Sequence, residues 1–452
     1  MIHRKIILAF LFTIAAGLYS IAQEKWDLRK CVEYAIANNI SVKQADIQQR
    51  IAELQLKESE LSQYPNANFS TGVTWGFGRT RDFSTQTIVS QNSFGNSFGL
   101  QSNVNLFNWF SARNTRKANE FEAEAAKHSV DNVRNDIALN VAAGYLQLLL
   151  SIEQQKATEV QINQTREQLS LTTKQVEAGS LPPLSALELE AQLARDSAAY
   201  VAAGAVVQQN ILQLKAIMNL DPATPFEPEA PPVEEIPVES LDDLQPEIVY
   251  KIALSNQPLQ KVNQLRISAS EKSELAAKAA MYPSISLGTG ISTQYFSLYR
   301  DLNNSGQMVK VPYWTQLGEN TAENISINLS VPIFNSGSAK INYQRAKLNT
   351  RNLQLQQDND DFNLKQKIYS AYNDATAALK QFYAAKKTVE ISQKTNDFSK
   401  RRYELGMLNT IDLITSQNNL LAAQIELLRT QFDYVFKMKV LEFYKGMGLK
   451  LQ

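Results

Sequence analysis

The stretch V104-N-L-F-N-W-F-S-A-R113 decides the fold, because no proline interrupts the chain between it and A178-G-S-L-P-P183. The same arrangement returns at V331-P-I-F-N-S-G-S-A-K340, and a second proline-free stretch then leads to L405-G-M-L-N-T410. In both copies 72 positions separate the phenylalanine from the glycine (179 − 107 and 406 − 334). An offset that stays constant over this length predicts a tandem duplication of one unit.

The stretch between these markers has the composition of a long helix. Residues 111–178 include one glycine and no proline, and Ala, Glu, Gln, Lys and Leu dominate. Apolar residues recur at steps of three and four, which is typical of an amphipathic helix. At about 1.5 Å per residue such a helix is on the order of 100 Å long. A helix of this length is rare in globular enzymes and is typical of a protein that bridges a long distance or forms a coiled coil with partner helices. An ordinary soluble coiled coil remains an alternative interpretation.

The first residues, M1-I-H-R-K-I-I-L-A-F-L-F-T-I-A-A-G-L-Y-S-I-A-Q23, predict a secretory signal peptide over residues 1–22. Cys31 is the only cysteine, so a disulfide within the chain is impossible, and it lies beyond a charged segment, so we do not expect lipidation. Removal of Arg4 and Lys5 with the signal peptide leaves 43 basic residues (45 − 2) against 45 acidic ones. This near-neutral balance gives no indication of a nucleic-acid partner.

Strict alternation of apolar and polar residues follows Tyr64-Pro65 and again Tyr282-Pro283. It predicts four strands, over residues 66–78, 94–107, 284–296 and 323–334. A soluble sheet packed on one face gives this alternation, and so does the wall of a transmembrane barrel. The strand length, the small neutral polar faces and the aromatic residues near the strand ends favour the barrel. Four strands cannot close a barrel, and open edges are not tolerated in lipid, so several chains must contribute.

The rest of the chain fits two repeats, over residues 23–220 and 247–452. Each repeat is predicted to contain a long helix and a return helix; these helices cover residues 111–178, 184–218, 338–405 and 411–445. Between the repeats, residues 221–246 hold seven of the 14 prolines and eight acidic residues, with no Lys or Arg. This composition predicts a flexible or polyproline-like connector.

No residue pattern indicates catalysis. His128 is the only histidine after the signal peptide and falls among charged residues on a long helix, and we interpret Cys31 as a small buried apolar residue. The segment G76-F-G-R79 resembles part of a phosphate loop but lies within a strand. No His, Cys or Asp cluster has the spacing of a metal site. We therefore predict that the chain is not an enzyme and carries no cofactor or metal.

The chain resembles the outer membrane efflux protein family, the TolC-like channels. The resemblance rests on the signal peptide, the Tyr-Pro before a strand, the Phe-Asn after a strand, the glycine turn between two long helices and the duplication. The resemblance implies a mixed α and β membrane protein that assembles as a homotrimer. Three chains would form a 12-stranded barrel in the lipid of the outer membrane and a 12-helix tunnel across the periplasm. The connector would belong to an equatorial region around this tunnel.

The function that the resemblance implies is a passive exit duct of a tripartite efflux or type I secretion system. A periplasmic adaptor (membrane fusion protein) and an inner-membrane pump of the RND or ABC type would open it by docking. In this family the glycine turns form the periplasmic tip that meets the adaptor. The matching residues here are Ala178, Gly179, Ser180, Leu405, Gly406 and Met407. The plain alternative is that these glycines only turn the chain.

Family members also narrow this tip with inward acidic residues, and Asp412 stands at the matching place. Its counterpart in the first repeat is Ser185, with Glu188 one turn later, and Thr415 stands where some members carry another acid. The resemblance therefore implies at most a partial aperture constriction at Asp412 and Glu188. Two alternatives stay open: a soluble periplasmic coiled-coil scaffold, and a duct whose cargo is a drug, a metal ion or a protein.

Overall fold

The computed structural model of the chain describes residues 25–82, 85–229, 241–303 and 305–447. The predicted signal peptide and residues 230–240 of the predicted connector lie outside the described residues. The elements of the first half are α1 (Leu28–Asn38), α2 (Ile40–Leu61), β1 (Asn66–Gly76), β2 (Arg79–Arg81), β3 (Ile88–Ser90), β4 (Ser93–Phe107), α3 (Ser111–Glu177) and α4 (Pro183–Met218).

The second half has the same order of elements with one addition, the short helix α7. Its elements are α5 (Pro246–Asn256), α6 (Pro258–Ala279), β5 (Ser284–Phe296), β6 (Arg300–Leu302), β7 (Met308–Lys310), α7 (Tyr313–Glu319), β8 (Ala322–Ser330), α8 (Ser338–Glu404) and α9 (Thr410–Lys445), preceded by a 3₁₀ turn at Asp242–Leu244. Corresponding helices have equal lengths of 11, 22, 67 and 36 residues. Across the described ranges no helix is both long enough and apolar enough to cross a membrane.

The chain divides into two compact units. Unit 1 comprises residues 1–47, 128–261 and 359–452, and its described part is helical. One of its apolar clusters joins α1, α3 and α4 around Cys31, Tyr145 and Leu214. A second cluster joins α5, α8 and α9 around Val249, Ile368 and Met438. Each half of the chain supplies the helices of one cluster, and α9 of the second half also adds Phe432 and Val435 to the first cluster.

Part of the predicted connector, up to Glu229, is bonded to Trp26 and Tyr145. Trp26 forms a parallel bridge with Pro228, and its amide donates to the carbonyl of Glu227 at 2.9 Å. The Tyr145 hydroxyl lies 3.0 Å from the Trp26 carbonyl and 2.5 Å from the Glu229 carbonyl. These bonds join residues 227–229 to Trp26 and Tyr145 within unit 1.

Unit 2 comprises residues 48–127 and 262–358 and contains a four-stranded antiparallel sheet in the order β1-β4-β5-β8. The strands β1 and β8 are its two edges. Asn66 pairs with Asn103, Asn103 with Gly288, and Gly288 with Ser326. The strand β8 ends at Ser330, whereas the predicted strand reaches residue 334. Pro332 explains the difference, because proline has no N–H to donate to a neighbouring strand.

Candidate functional site: two helical reversals and a two-faced sheet

Two reversals of equal geometry end the long helices in unit 1. The Ser180 amide donates to the Gln175 carbonyl and the Gly179 amide to the Val176 carbonyl, both at 2.9 Å. In the second reversal the Met407 amide donates to Arg402 at 2.8 Å, and the Gly406 amide donates to the Tyr403 carbonyl at 2.9 Å. This bond pair is the Schellman motif, which satisfies the last free carbonyls of a helix.

The glycines at these reversals are required by the backbone. Gly179 has φ +72° and Gly406 has φ +71°, which is the left-handed region that side chains disfavour. A Cβ atom added at either position would meet no atom within 4 Å, so crowding plays no part. All six residues predicted for the tip are exposed: Ala178, Gly179, Ser180, Leu405, Gly406 and Met407. The reversals therefore present open backbone and two large apolar side chains, Leu405 and Met407.

The return helices begin differently after these equal reversals. The Asn409 side chain caps α9 by accepting a bond of 2.7 Å from the Asp412 amide. Pro182 precedes α4 and makes no side-chain capping bond. Asp412 is exposed on α9 and Glu188 is half-buried on α4, whereas Ser185, the counterpart of Asp412, is buried. In the described part of the chain neither of these two carboxylates takes part in a salt bridge.

A buried polar seam runs along the part of α3 that leads to the first reversal. Its members recur every seven residues and are all buried: Ser151, Thr158, Thr165 and Thr172. The Thr165 hydroxyl donates to the Asp196 carboxyl group at 2.6 Å, and the Gln192 amide nitrogen donates to the same group at 2.7 Å. A strict seven-residue period is typical of left-handed coiled coils. The apolar period of α3 does not predict this seam, because the members of the seam are polar.

The sheet of unit 2 has one apolar and one polar face. Val104, Leu287 and Ile327 are register neighbours on the apolar face. Its exposed members are Phe69, Val73, Trp75, Leu100, Leu106, Ile291, Ile325, Ile327 and Leu329. The opposite face consists mainly of Asn, Ser, Gly, Thr and Gln, and within the four strands it carries no charged residue. Exposure of so many large apolar side chains indicates a surface that meets lipid or another chain.

Aromatic pairs lie at both ends of the sheet. Near the loops, the ring centroids of Trp75 and Phe94 are 5.6 Å apart. Near the helices, Trp109 stacks on Tyr282 with a centroid distance of 4.8 Å. Trp109 and Phe110 also adopt positive φ values of 52° and 62°, which are unusual for residues other than glycine. The two aromatic ends of the sheet resemble interfacial girdles.

Two helices carry exposed apolar stripes with a seven-residue period. The stripe of α2 consists of Ile40, Ile47, Leu54 and Leu61. The stripe of α8 consists of Ile341, Leu348, Leu355 and Phe362. The helix α2 leads into the edge strand β1, and the edge strand β8 leads into α8. Both stripes thus belong to helices that are continuous with the two open edges of the sheet.

Cys31 and His128, the residues considered for catalysis or metal binding, lie outside the reversals and the sheet. Cys31 is fully buried in unit 1, and burial raises the pKa of its thiol to about 12. His128 Nδ1 lies 3.7 Å from the Asp131 carboxylate on the same helix. No group of three or more His, Cys, Asp or Glu residues that could hold a metal ion occurs within the described ranges.

A model of the outer membrane efflux protein family matches residues 31–220 and again residues 249–437. The probable outer membrane lipoprotein SilC of Salmonella typhimurium is 23% identical, over 90% of this chain and 82% of that protein. The cation efflux system protein CusC of Escherichia coli K12 is also 23% identical, over 93% and 86% of the two chains.

Solved structures share the fold. The outer-membrane channel OprN superposes with a TM-score of 0.74 at 17% identity, over 93% of this chain and 90% of that one. The outer membrane protein VceC of Vibrio cholerae superposes with a TM-score of 0.71 at 17% identity, over 93% and 96% of the two chains.

Proposed function

The chain belongs to the outer membrane efflux protein family, and from that premise we propose that several copies close into one passive exit duct. Membership confirms the predicted family, the outer membrane location and efflux as the function. The soluble periplasmic scaffold is set aside, because the family is one of outer membrane proteins. The channel function leaves no role for an active site, and we propose that the chain is not an enzyme.

The two open edges of the sheet carry this proposal. Neither β1 nor β8 has a strand on its outer side within the described residues. In lipid the unpaired N–H and C=O groups of an open edge have no solvent to bond with. The two edges run in opposite directions, since every neighbouring pair in the four-stranded sheet is antiparallel. Strand β8 of one copy can therefore pair in antiparallel fashion with β1 of the next.

The apolar stripes of α2 and α8 support the same contact. A stripe with a seven-residue period is the pattern by which a helix packs into a coiled coil. Each buried leucine or isoleucine stabilises such a contact by about 1.5–3 kcal/mol. Because each stripe lies on a helix joined to an edge strand, one neighbouring copy would cover the strand edge and the helix stripe together. A head-to-tail contact of this kind closes into a ring when the rotation from one copy to the next divides a full turn evenly.

The number of copies follows from the resemblance. At least eight strands are needed to leave a filled interior, so two copies of four strands are the lower limit. The family implies three copies, which gives the 12-stranded barrel and, with α3, α4, α8 and α9, the 12-helix tunnel. The equal helix lengths and the twofold family match support the tandem duplication from which this arrangement grew.

Cross-linking tests the contact between edges. In a Cys31→Ser background, Ser70→Cys on β1 and Ser326→Cys on β8 are combined and treated with thiol cross-linkers of several lengths. We expect bands of two and three chains for the double variant and none of three for either single variant. The control pair Ser97→Cys and Gln294→Cys joins register neighbours within one chain and stays monomeric. A monomeric double variant would exclude the proposed contact.

The reversals are proposed to dock a periplasmic adaptor, which links the duct to an inner-membrane pump of the RND or ABC type. Six exposed residues with open space around both glycines support this role: Ala178, Gly179, Ser180, Leu405, Gly406 and Met407. A photoreactive amino acid at Met407 should cross-link to a membrane fusion protein in cells. The same label at Val201, which is exposed on the middle of α4, is the control. Equal labelling of the adaptor from both positions would contradict docking at the reversal.

Asp412 and Glu188 are proposed as a partial acidic constriction of the aperture. Asp412 supports this through its exposure in the first turn of α9, where its carboxylate has no salt-bridge partner among the described residues. A ring of three such carboxylates would attract cations by Coulomb interaction. Asp412→Ala should reduce the cation selectivity of the channel in planar bilayers. Unchanged selectivity and conductance would remove Asp412 from this role.

A further inference from the structure

The short helix α7 lies against the apolar face of the sheet. The ring of Tyr313 is 4.7 Å from that of Tyr295, and its hydroxyl donates to Asn96 Oδ1 at 2.6 Å. The Thr293 hydroxyl donates to the Leu317 carbonyl, also at 2.6 Å. By strand alternation Tyr295 and Thr293 share a face with Ile291, and Asn96 shares one with Phe94 and Phe98. The side chains of Tyr295, Asn96 and Thr293, which contact α7, therefore all lie on the apolar face of the sheet.

Further bonds lock α7 onto the end of β5. Gln316 is fully buried, and its side chain accepts from the Phe296 amide at 3.0 Å and donates to the Val311 carbonyl at 2.9 Å. Asn320 donates to the Gln294 carbonyl at 2.8 Å. The helix thereby covers Asn96, which would otherwise present a polar side chain on an apolar surface.

Trp314 is the side chain that α7 turns outward. It is 80% exposed, and its ring contacts only that of Tyr313 among the ring pairs of the described residues. The contacts of α7 begin at Thr293, two positions beyond the exposed Ile291, which is about 7 Å further along the strand. Trp314 is therefore held beside the sheet, just past the apolar part of β5. An indole ring with an N–H donor prefers the zone where acyl chains give way to headgroups.

We propose that α7 is an interfacial anchor, and that Trp314 inserts into the headgroup–acyl boundary of the leaflet on the loop side of the barrel. The proposal rests on the barrel of the proposed function. A second copy of the chain is a poorer occupant, because α7 is bonded to β4 and β5, the two central strands. The copies are proposed to meet at β1 and β8, at the sides of the sheet.

Lipid quenching of tryptophan fluorescence tests the anchor. The full chain has four tryptophans, and replacing Trp26, Trp75 and Trp109 by phenylalanine leaves Trp314 as the only one. The protein is reconstituted into phosphatidylcholine vesicles whose acyl chains carry bromine either near the headgroup or near the chain end. We expect the emission of Trp314 to lie at shorter wavelength than that of free tryptophan. Bromine near the headgroup should quench most of this emission. Quenching by the deep bromine should be weaker.

A second single-tryptophan variant separates the two proposals. Trp75 lies on the apolar face of β1 and is retained while the other three are replaced by phenylalanine. Lipid quenching of Trp75 without lipid quenching of Trp314 would overturn the anchor and leave the barrel intact. Absence of lipid quenching at both positions would overturn the barrel. Quenching of Trp314 by aqueous iodide in place of brominated lipid would also overturn the anchor.

The variant Gln316→Ala tests the role of α7 itself. It removes the bond that the Gln316 side chain accepts from the Phe296 amide at the end of β5, and the bond that it donates to the Val311 carbonyl just before α7. Combined with the Trp314-only background, it should reduce lipid quenching of Trp314 and increase quenching by iodide. In the Trp75-only background it should leave lipid quenching unchanged. Equal loss in both backgrounds would indicate general unfolding of the sheet and would contradict a local role of α7.

Discussion

The long helices α3 and α8 have the same length of 67 residues but carry opposite kinds of seven-residue period. In α3 the period is polar and buried, and Thr165 and Thr172 are fully enclosed. In α8 the period is apolar and exposed, and Leu348 and Phe362 are 71% and 67% accessible. The two periods lie in different parts of the helices: by the offset of 227, residues 151–172 of α3 correspond to residues 378–399 of α8, where Ala378 and Ala385 are buried. The polar seam is completed within the chain, whereas the apolar stripe of α8 has no partner among the described residues.

This difference indicates what each repeat contributes to an assembly. A helix that buries hydroxyl and amide groups gains less from packing than one that buries leucine, because the polar groups are also solvated when exposed. The apolar stripe of α8, once covered, would therefore hold neighbouring copies together. The polar seam of α3 would permit the hairpin near the reversal to rearrange at lower cost.

The largest effect is expected from Leu348→Glu combined with Leu355→Glu. Two charges on the apolar stripe of α8 would lose about 1.5–3 kcal/mol for each leucine and add the cost of covering a carboxylate. We expect the proposed trimer to dissociate into monomers, measured by analytical ultracentrifugation in detergent. Ile88→Glu, at a similarly exposed position of β3, is the matched control and should leave the proposed trimer intact. A stable trimer in the double variant would contradict the role of the stripe.

A smaller effect is expected from Thr165→Val in the polar seam. The substitution keeps the shape of the side chain and removes the donor of the 2.6 Å bond to Asp196. Loss of a buried hydrogen bond costs about 1–3 kcal/mol of the free energy of unfolding. Ser392→Val is the matched change at the corresponding place on α8 (165 + 227) and should cost less. Urea unfolding followed by circular dichroism measures both, and equal losses would show that the two helices do not differ in this way.

A still smaller effect separates the starts of the return helices. Asn409→Ala removes the cap of α9 and should cost about 1 kcal/mol. Pro182→Ala removes no side-chain capping bond from α4 and should cost less. Hydrogen exchange of the first-turn amides should therefore accelerate clearly after Asn409→Ala and little after Pro182→Ala. The reverse order would mean that the two helix starts are held by other contacts.

The smallest effect concerns the exposed side of α8. Bonds from Lys387 and Lys394 lower the pKa of Glu390 to about 2. Because this pKa lies below the ordinary value, the pair stabilises the fold above that ordinary value, and the contribution is lost as the pH falls toward about 2. Wild type and Glu390→Gln should differ slightly in urea unfolding at neutral pH, and the difference should shrink on acidification. A difference that grows on acidification would contradict the assigned direction.

Much of this fold is visible in the sequence because it depends on local rules. Proline-free runs give the long helices, and glycine after each run gives the reversals, since Gly179 and Gly406 need a positive φ. Strict alternation gives the strands and their two faces. These features depend on residues that are close in sequence, so a single amino-acid sequence is enough to predict them.

Other features depend on contacts between distant residues. The helix α7 has seven residues and is held by bonds from Gln316 and Asn320 to β5 and its surroundings, which no local period reveals. Asp196 gives no signal by itself, since its partner Thr165 lies 31 positions away. The seven-residue spacing of Leu348 and Leu355 is present in the sequence, but its exposure appears only once α8 is placed beside α6. Sequence patterns alone therefore could not show which stripe stays exposed in the folded chain.

The central claim is that the edge formed by β8 and α8 meets the edge formed by β1 and α2 of the next copy until a ring closes. Electron microscopy of the detergent-extracted protein tests it most directly. The account predicts end views with threefold symmetry and a central opening. Monomeric particles without rotational symmetry would contradict it and would leave both edges without the partner proposed for them.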